Sequence, residues 1–215
     1  MPSSRKEKKM KTELELQKEF IEKPELKEQL EFLKKGGASG IQGVVLVEAF
    51  LKGIRDLGYK ESANALNEIN DNSFQAGARN IHYELIGKSN IGELVVYDDG
   101  HGMVKDMLSV AVTWGGTHRQ NSRKGFGKYG YGLPSASLSI AKKYTIYSKV
   151  KGGDWHNIVF DITKLEGEGK PDLDEIRSIP KKCALPKFIN DFEGENFNVK
   201  KLEHGTIIHY EELDK

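Results

Sequence analysis

The sequence predicts an α+β fold, a two-layer sandwich in which helices cover one face of a mostly antiparallel sheet. Three observations lead to this fold class. Helix-like and strand-like segments alternate from about residue 41 onward, a short KSNIG turn joins two of the strands, and a further strand-like segment, GTIIHYEE, follows near the end. With 215 residues, the chain can bury one substantial core or form one domain with an appendage.

Residues 1–40 predict a charged helical arm ahead of the domain, which we place at 41–215. Leu26, Leu30 and Leu33 are spaced to form one apolar stripe on a helix, and the GGASG segment after them marks a flexible break. The stripe can pack on the domain or on a second subunit, or the arm can be a solvated helix. The sequence leaves both open.

Four helices are predicted inside the domain. The first covers Val44–Leu57, and the second follows a GYKES break, with Ser62 as its N-cap and Gly77 at its end. Two shorter helices are expected near 104–113 and 133–142.

The predicted strands begin with the hairpin. Ile81, Tyr83 and Leu85 alternate onto one face of its first strand, and ELVVYD forms its second. No helix or strand is predicted in the polar, proline-bearing stretch 163–200. The remaining strands are expected near 143–150, 155–162 and 205–212.

Composition excludes several classes of protein. The formal net charge of +1 gives no support for a nucleic-acid partner, although a local basic patch stays open. A single cysteine, Cys183, excludes an internal disulfide framework. The N-terminal segment lacks the apolar region of a secretory signal, and no run of about 18 apolar residues exists. We therefore expect a cytoplasmic protein with no membrane partner.

The first segment whose side chains could take part in binding or catalysis is ALNEINDNSFQAGA. Glu68 and Asn72 are four residues apart and share one face of the predicted helix, whereas Asp71 points elsewhere. A carboxylate and a carboxamide one turn apart can activate a water molecule and bind a hard cation. An ordinary solvated helix face is the alternative.

The second segment is VYDDGHGM. A strand delivers Asp98 and breaks at Gly100 and Gly102, which permit a tight backbone and close approach of a ligand. An aspartate at a strand end can accept a hydrogen bond from an exocyclic amine such as that of adenine. Alternatively, this is a simple Asp-Gly turn.

The third segment is KGFGKYGYGLPSAS, whose glycines lead into a helix. Exposed amides in such a loop, together with Lys128, suit the binding of phosphates. Gly125, Gly127 and Gly130 match the GxGxxG dinucleotide-binding pattern, but polar residues rather than a strand precede them, which excludes that fold. The GxxxxGK[ST] loop and the protein-kinase motif set are absent from the sequence.

In this order the segments resemble the Bergerat-fold ATPases of the GHKL superfamily, which includes gyrase, ninety-kilodalton heat-shock chaperones, histidine kinases, MutL and MORC proteins. Glu68–Asn72 resembles the asparagine box, Asp98–Gly102 the DxGxG box, and Gly127–Ser135 the second glycine box in its chaperone spacing. GTIIHYEE resembles the strand whose threonine, here Thr206, lies beneath adenine, and TWGGTH resembles a segment beside the lid. The resemblance covers about 45–212 and is closest to the chaperone, MutL and MORC branches.

The resemblance implies a role for each matching residue. Glu68 is the expected general base, Asn72 the expected Mg²⁺ ligand, and Asp98 the expected partner of the adenine amino group. Gly102 and Thr206 would support that contact, partly through water. The positions expected to bind ATP are Asn72, Ala76, Asp98, Gly100, Gly102, Met103, Gly127, Lys128, Tyr129, Gly130, Gly132 and Thr206.

The chain departs from the family pattern at two places. Many members carry Asp-Ala after the asparagine box, whereas this chain has Phe74, Gln75 and Ala76, which changes the surroundings of the adenine pocket. The gyrase, chaperone and MutL branches also take a catalytic Lys or Arg from a following transducer domain. Because this sequence stops at Lys215, we expect either a fragment of a larger protein or a cation supplied by a partner.

The function that the resemblance implies is Mg²⁺-dependent ATP binding with slow ATP hydrolysis. Such a domain would act as the N-terminal motor of a larger protein, in which ATP closes a lid over about 114–130 and promotes homodimerisation. Two alternatives stay open. One is a histidine kinase catalytic domain, although the first histidine, His82, lies on a predicted strand rather than on a dimerisation helix. The other is a nucleotide-sensing scaffold that does not hydrolyse ATP, for which a base at Glu68 would have no use.

Overall fold

The computed structural model describes most of the predicted domain. Its described residues are 47–57, 59, 62–87, 92–116, 130–165 and 176–213. The arm predicted at 1–40 lies outside them, as do Gly127, Lys128, Tyr129 and most of the predicted lid.

The centre of the fold is an antiparallel sheet. Within the described residues its strands are β1 (Ile81–Ile86), β2 (Glu93–Asp98), β3 (Ala141–Lys149), β4 (His156–Asp161), β5 (Lys181–Lys182) and β8 (Gly205–Leu213). They lie in the order β1-β2-β8-β3-β4-β5, and all neighbouring strands are antiparallel. A separate small hairpin contains β6 (Glu193–Gly194) and β7 (Phe197–Asn198).

Among the described residues, four helices pack on one face of this sheet: α1 (Val47–Leu57), α2 (Ser62–Gln75), α3 (Lys105–Ala111) and α4 (Gly132–Ile140). A short helix, α5 (Lys187–Asn190), lies on the opposite face, and 3₁₀ turns occur at Ile162–Leu165 and Val199–Lys201. On α2, Ala65 and Ile69 are buried because their spacing of four residues puts them on the same side. They join Ala136 and Leu138 of α4 in the main core. No helix in the described ranges is long and apolar enough to cross a membrane.

Alternation along the strands separates the two faces of the sheet. On β2, Leu94 and Val96 belong to the core beneath the helices, while Val95 and Tyr97 belong to a second cluster on the opposite face. The predicted α+β architecture, with helices over a mostly antiparallel sheet, is confirmed.

The opposite face is covered by a segment for which the sequence predicted no element. Within 163–200 the chain forms α5, β6 and β7, and Ile189, Phe197 and Val199 are buried against the sheet. The prediction was wrong because the apolar residues here follow neither a helical nor a strand period.

The predicted apolar face of β1 is only partly buried. Ile81 packs against the main core, but Tyr83 is 40% and Leu85 60% exposed. β1 is the edge strand of the sheet, with a neighbouring strand on one side only. The Tyr83 hydroxyl donates a hydrogen bond to Asn70 on α2.

A glycine turn ends α2 two residues earlier than predicted. The last helical residue is Gln75, and Gly77 has a φ of 75°. The Gly77 N–H donates to the Phe74 carbonyl at 2.9 Å, and the Ala78 N–H donates to the Ser73 carbonyl at 3.0 Å. This pair of bonds is the Schellman motif, so Gly77 lies just beyond the helix.

Other predicted boundaries also moved by one or two residues. Ser62 begins α2 instead of preceding it as the N-cap. The helix predicted at 133–142 ends at Ile140, and the following strand starts at Ala141 instead of 143. Backbone pairing with β8 extends to Ala141, which therefore joins the strand.

Candidate functional site

A cavity of about 800 Å³ lies over the helix-facing side of the sheet, a size typical of ligand pockets. Gly100 lies beside it, not on its wall. Glu68 and Asp98, which come from separate segments of the sequence, border this one cavity. The predicted site residues that line it are Glu68, Asn72, Ala76, Asp98, Gly102, Met103, Gly130, Gly132 and Thr206.

Glu68 lies where α2 meets the first residue of α4. Its carboxylate is so close to Gly132 that a Cβ added to Gly132 would lie 1.9 Å from Glu68 Oε1. Burial raises the pKa of Glu68, and the negative charge of Asp71 raises it further. A carboxylate with a raised pKa is a stronger base once it is ionised.

Asn72 lies one turn after Glu68 on the same side of α2. Its Nδ2 donates a hydrogen bond to the Glu68 backbone carbonyl at 2.8 Å. The amide nitrogen of asparagine only donates, so Asn72 Oδ1 is the atom that can bind a cation. An amide oxygen is a ligand that Mg²⁺ accepts, usually together with waters and substrate phosphates. The site therefore fits a magnesium ion held through Asn72.

Asp98 ends β2 and is almost fully buried. Its Oδ1 accepts hydrogen bonds from the backbone N–H groups of Gly100 at 2.9 Å and Thr206 at 3.2 Å, and its Oδ2 accepts one from the Ser73 hydroxyl at 2.9 Å. Burial raises the pKa of Asp98, and these three donors oppose that rise. A carboxylate oxygen has about two acceptor positions, so one position on Oδ2 is left for a ligand.

Sequence reasoning missed Ser73 and Ser148. Ser148 is fully buried on β3 and accepts a hydrogen bond from the Met103 backbone N–H at 2.8 Å. The sequence does mark Ser148 as unusual, because it is a polar residue on the strand face that otherwise carries the core residues Tyr144 and Ile146. Which polar group it meets depends on cross-strand register, which the sequence does not show.

The glycines after Asp98 allow the backbone to approach its neighbours closely. Gly102 has a φ of 70°, and a Cβ there would lie 2.0 Å from the Lys149 carbonyl oxygen. A Cβ at Gly100 would lie 2.7 Å from the Ala76 Cβ, and the Ala76 carbonyl accepts from the His101 N–H at 2.9 Å. Side chains at either glycine would therefore push the turn away from α2 and β3.

The segment TWGG supports the start of α4. The Gly115 N–H donates to the Gly130 carbonyl at 3.1 Å, and Gly130 has a φ of 67°. Trp114 Nε1 donates to the Ser135 hydroxyl at 3.0 Å. Ser135, which belongs to the third segment, thus anchors α4 to Trp114 and is not a cavity-lining residue.

The cavity has apolar walls and an acidic character. Its walls include Ile69, Met103, Met107, Leu133 and Ile208, which suit a flat apolar ring system. Among the described residues that line it, Glu68 and Asp98 are the carboxylates, and none is a lysine or arginine.

Residues 59–206 match the protein family described as histidine kinase-, DNA gyrase B- and HSP90-like ATPase. This match covers well over half of the chain. The chain belongs to this family. The GHKL assignment made from the motifs is therefore confirmed, and the cavity of this GHKL domain contains residues from all its described motifs.

Two kinds of curated protein are similar to this GHKL domain. ATPase morc-1 of Caenorhabditis elegans is 30% identical over 89 residues, covering 41% of this chain and 10% of that protein. The DNA mismatch repair protein MutL of Rhizorhabdus wittichii is 37% identical over 117 residues, covering 52% of this chain and 19% of MutL. MutL of Colwellia psychrerythraea is 33% identical over 91 residues, covering 40% of this chain and 14% of that MutL. The matches thus span less than a fifth of each relative.

Proposed function

We propose that this GHKL domain binds ATP with Mg²⁺ and hydrolyses the ATP slowly. The observation that carries the proposal is the convergence of Glu68, Asn72 and Asp98 on one cavity. A carboxylate base and an amide cation ligand would serve hydrolysis, and a buried acceptor for an amine would serve binding of the adenine.

The adenine end of the proposed site is formed around Asp98. The acceptor position left on Asp98 Oδ2 suits the 6-amino group of adenine, since the other three positions are filled by Ser73, Gly100 and Thr206. Met103 and Ile208 line the same cavity and offer apolar surface to the base.

The phosphate end is formed by Asn72 and the glycines before α4. A bound Mg²⁺ would neutralise charge on the phosphate oxygens, and Asn72 Oδ1 would hold it. Gly130 and Gly132 line the cavity with backbone, which allows phosphates to approach closely. Gly127, Lys128 and Tyr129 are proposed to complete this end, and they lie outside the described residues.

Glu68 is the proposed general base. The raised pKa of Glu68 gives it a greater proton affinity than an exposed glutamate has, which favours removal of a proton from an attacking water. Proton transfer to a positioned base contributes roughly 10²- to 10⁴-fold to the rate of hydrolysis.

The cation that stabilises the transition state is proposed to come from elsewhere, either a further domain or a partner. No lysine or arginine lines the cavity within the described part of the chain. A cation of this kind can be worth about 10³- to 10⁵-fold in rate, so we expect tight binding and slow turnover. We also propose that ATP promotes dimerisation and lid closure within a larger protein, as the chaperone, MutL and MORC resemblance implies.

Calorimetry and phosphate release test the proposal. Wild-type protein should bind ATP only weakly without Mg²⁺, and Asn72→Ala should remove most of the magnesium dependence. Glu68→Ala should bind ATP normally and release phosphate at least 100-fold more slowly. Asp56→Ala, which removes an exposed carboxylate from α1, is the matched control and should behave as wild type.

Three results would contradict the proposal. Absence of ATP binding would remove the nucleotide assignment altogether. Binding without any hydrolysis would favour the sensing scaffold. Transfer of the γ-phosphate to a protein histidine would favour the kinase.

A further inference from the structure

Three polar side chains form one row across the floor of the cavity. Asp98 on β2 lies opposite Thr206 on β8, and Thr206 lies opposite Ser148 on β3. All three point toward the helices, because they alternate with Tyr97, Ile207 and Tyr147 on the opposite face. Asp98 and Thr206 line the cavity, whereas Ser148 is completely buried behind them.

The hydroxyl of Ser148 has three neighbours and one proton. It accepts from the Met103 N–H at 2.8 Å, lies 3.0 Å from the Gly205 carbonyl oxygen and lies 3.0 Å from Thr206 Oγ1. A carbonyl oxygen can only accept, so the Ser148 proton is donated to Gly205. The bond between the two hydroxyls must then be donated by Thr206.

This assignment leaves the cavity floor with hydrogen-bond acceptors only. The proton of Thr206 Oγ1 is directed to Ser148, so a ligand meets lone pairs on that oxygen. The neighbouring acceptor is Asp98 Oδ2, which has one position left. A ligand group that donates hydrogen bonds satisfies this floor, and a group that only accepts leaves buried acceptors unpaired.

We propose that Ser148 is a specificity-determining residue, which fixes the Thr206 hydroxyl as an acceptor and thereby selects a purine with a 6-amino group over one with a 6-oxo group. The inference rests on the proposed function, since it concerns the base of the bound nucleotide. Ser148 does not touch the ligand and acts through Thr206.

The test compares the Kd values for ATP and inosine triphosphate, which carries a 6-oxo group in place of the amine. Wild-type protein should prefer ATP by about 100-fold, because the 6-oxo group leaves a buried acceptor unpaired. Ser148→Ala frees the Thr206 hydroxyl to rotate and donate, so the preference should fall roughly tenfold. Ser137→Ala is the control: Ser137 is a fully buried serine outside the cavity lining that bonds to the Tyr210 hydroxyl at 3.1 Å, and its loss should leave the preference unchanged.

A double-mutant cycle separates this role from simple support of the fold. Thr206→Val removes the oriented hydroxyl and should lower the preference by a similar factor. Adding Ser148→Ala to Thr206→Val should then change the preference no further, whereas a purely structural serine would act equally in both backgrounds.

Two results would overturn the inference while leaving the proposed function intact: an unchanged preference in Ser148→Ala, or a further fall in the Thr206→Val background. If Ser148→Ala does not fold in a thermal melt, an unchanged preference in Thr206→Val alone has the same meaning. Failure of the wild-type protein to bind either nucleotide would instead overturn the proposed function, and this inference with it.

Discussion

Gly132→Ala should separate the stability of this domain from its proposed ATPase activity. The added Cβ would lie 1.9 Å from Glu68 Oε1 and 2.6 Å from Glu68 Cδ. The φ of Gly132 is not in the left-handed region, so alanine suits the backbone at this first residue of α4. The atoms that must move belong to the flexible end of one side chain, and that side chain is the proposed base.

The expected changes in kcat and in the free energy of unfolding both follow from the contact between the added Cβ and Glu68. Ordinary contact between such atoms needs about 3.5 Å, so the carboxylate must shift by about 1.5 Å. A misplacement of about 1 Å can cost a factor of roughly 100 in rate, and we expect at least that loss in kcat. The free energy of unfolding should change by less than about 1 kcal/mol, because a glycine-to-alanine change at a compatible site is mildly stabilising and offsets the displaced contact.

Phosphate release under saturating ATP and urea denaturation measure the two quantities. Gly53→Ala on α1 is the matched control, since a Cβ there meets nothing within 4 Å, and it should retain full activity. A Gly132→Ala protein that hydrolyses ATP at the wild-type rate would refute the assignment of Glu68 as the base. A large loss of stability would refute the claim that only a flexible side chain has to move.

Three further predictions concern charge and backbone at the same site. Asp71→Asn should shift the acidic limb of the pH–rate profile to lower pH, because Glu68, the proposed base, works only when ionised and the charge of Asp71 raises its pKa. An unmoved limb would exclude this effect of Asp71 on Glu68. Gly102→Ala should lower the free energy of unfolding in urea by about 3 kcal/mol, since its Cβ would meet backbone atoms of Lys149, whereas Gly152→Ala, at a similar φ in open space, should lose only about 1 kcal/mol. Asp98→Asn should weaken ATP binding by calorimetry about 10- to 100-fold, and equal affinity would mean that Asp98 does not receive the base.

The parts of the site that follow from local spacing could be predicted from the sequence. Glu68 and Asn72 share a helix face because of the helical period, and the glycines after Asp98 mark a break at a strand end. Local spacing also gave the helices and the hairpin to within a few residues. These features depend on neighbours along the chain, which the sequence displays directly.

The parts that depend on long-range pairing could not be predicted. Ser148 meets Thr206 only because β3 pairs with β8 in one register, and they are 58 residues apart. The exposure of Leu85 depends on β1 being an edge strand, a property of the whole sheet. The segment around Ile189, which covers the opposite face of the sheet, has no regular spacing of apolar residues. Only its packing in the folded protein identifies it as part of the core.

Ala76 connects the helix at one end of the cavity with the turn at the other end, a junction that links Glu68 to Asp98. Ala76 follows the helix that carries Glu68, its carbonyl accepts a hydrogen bond from the His101 N–H in the turn after Asp98, and its methyl group lies where a side chain at Gly100 would have to go. Substitutions that loosen this junction should therefore disturb the proposed binding of the base at Asp98 and the proposed hydrolysis at Glu68 together, even though Ala76 carries no reactive group.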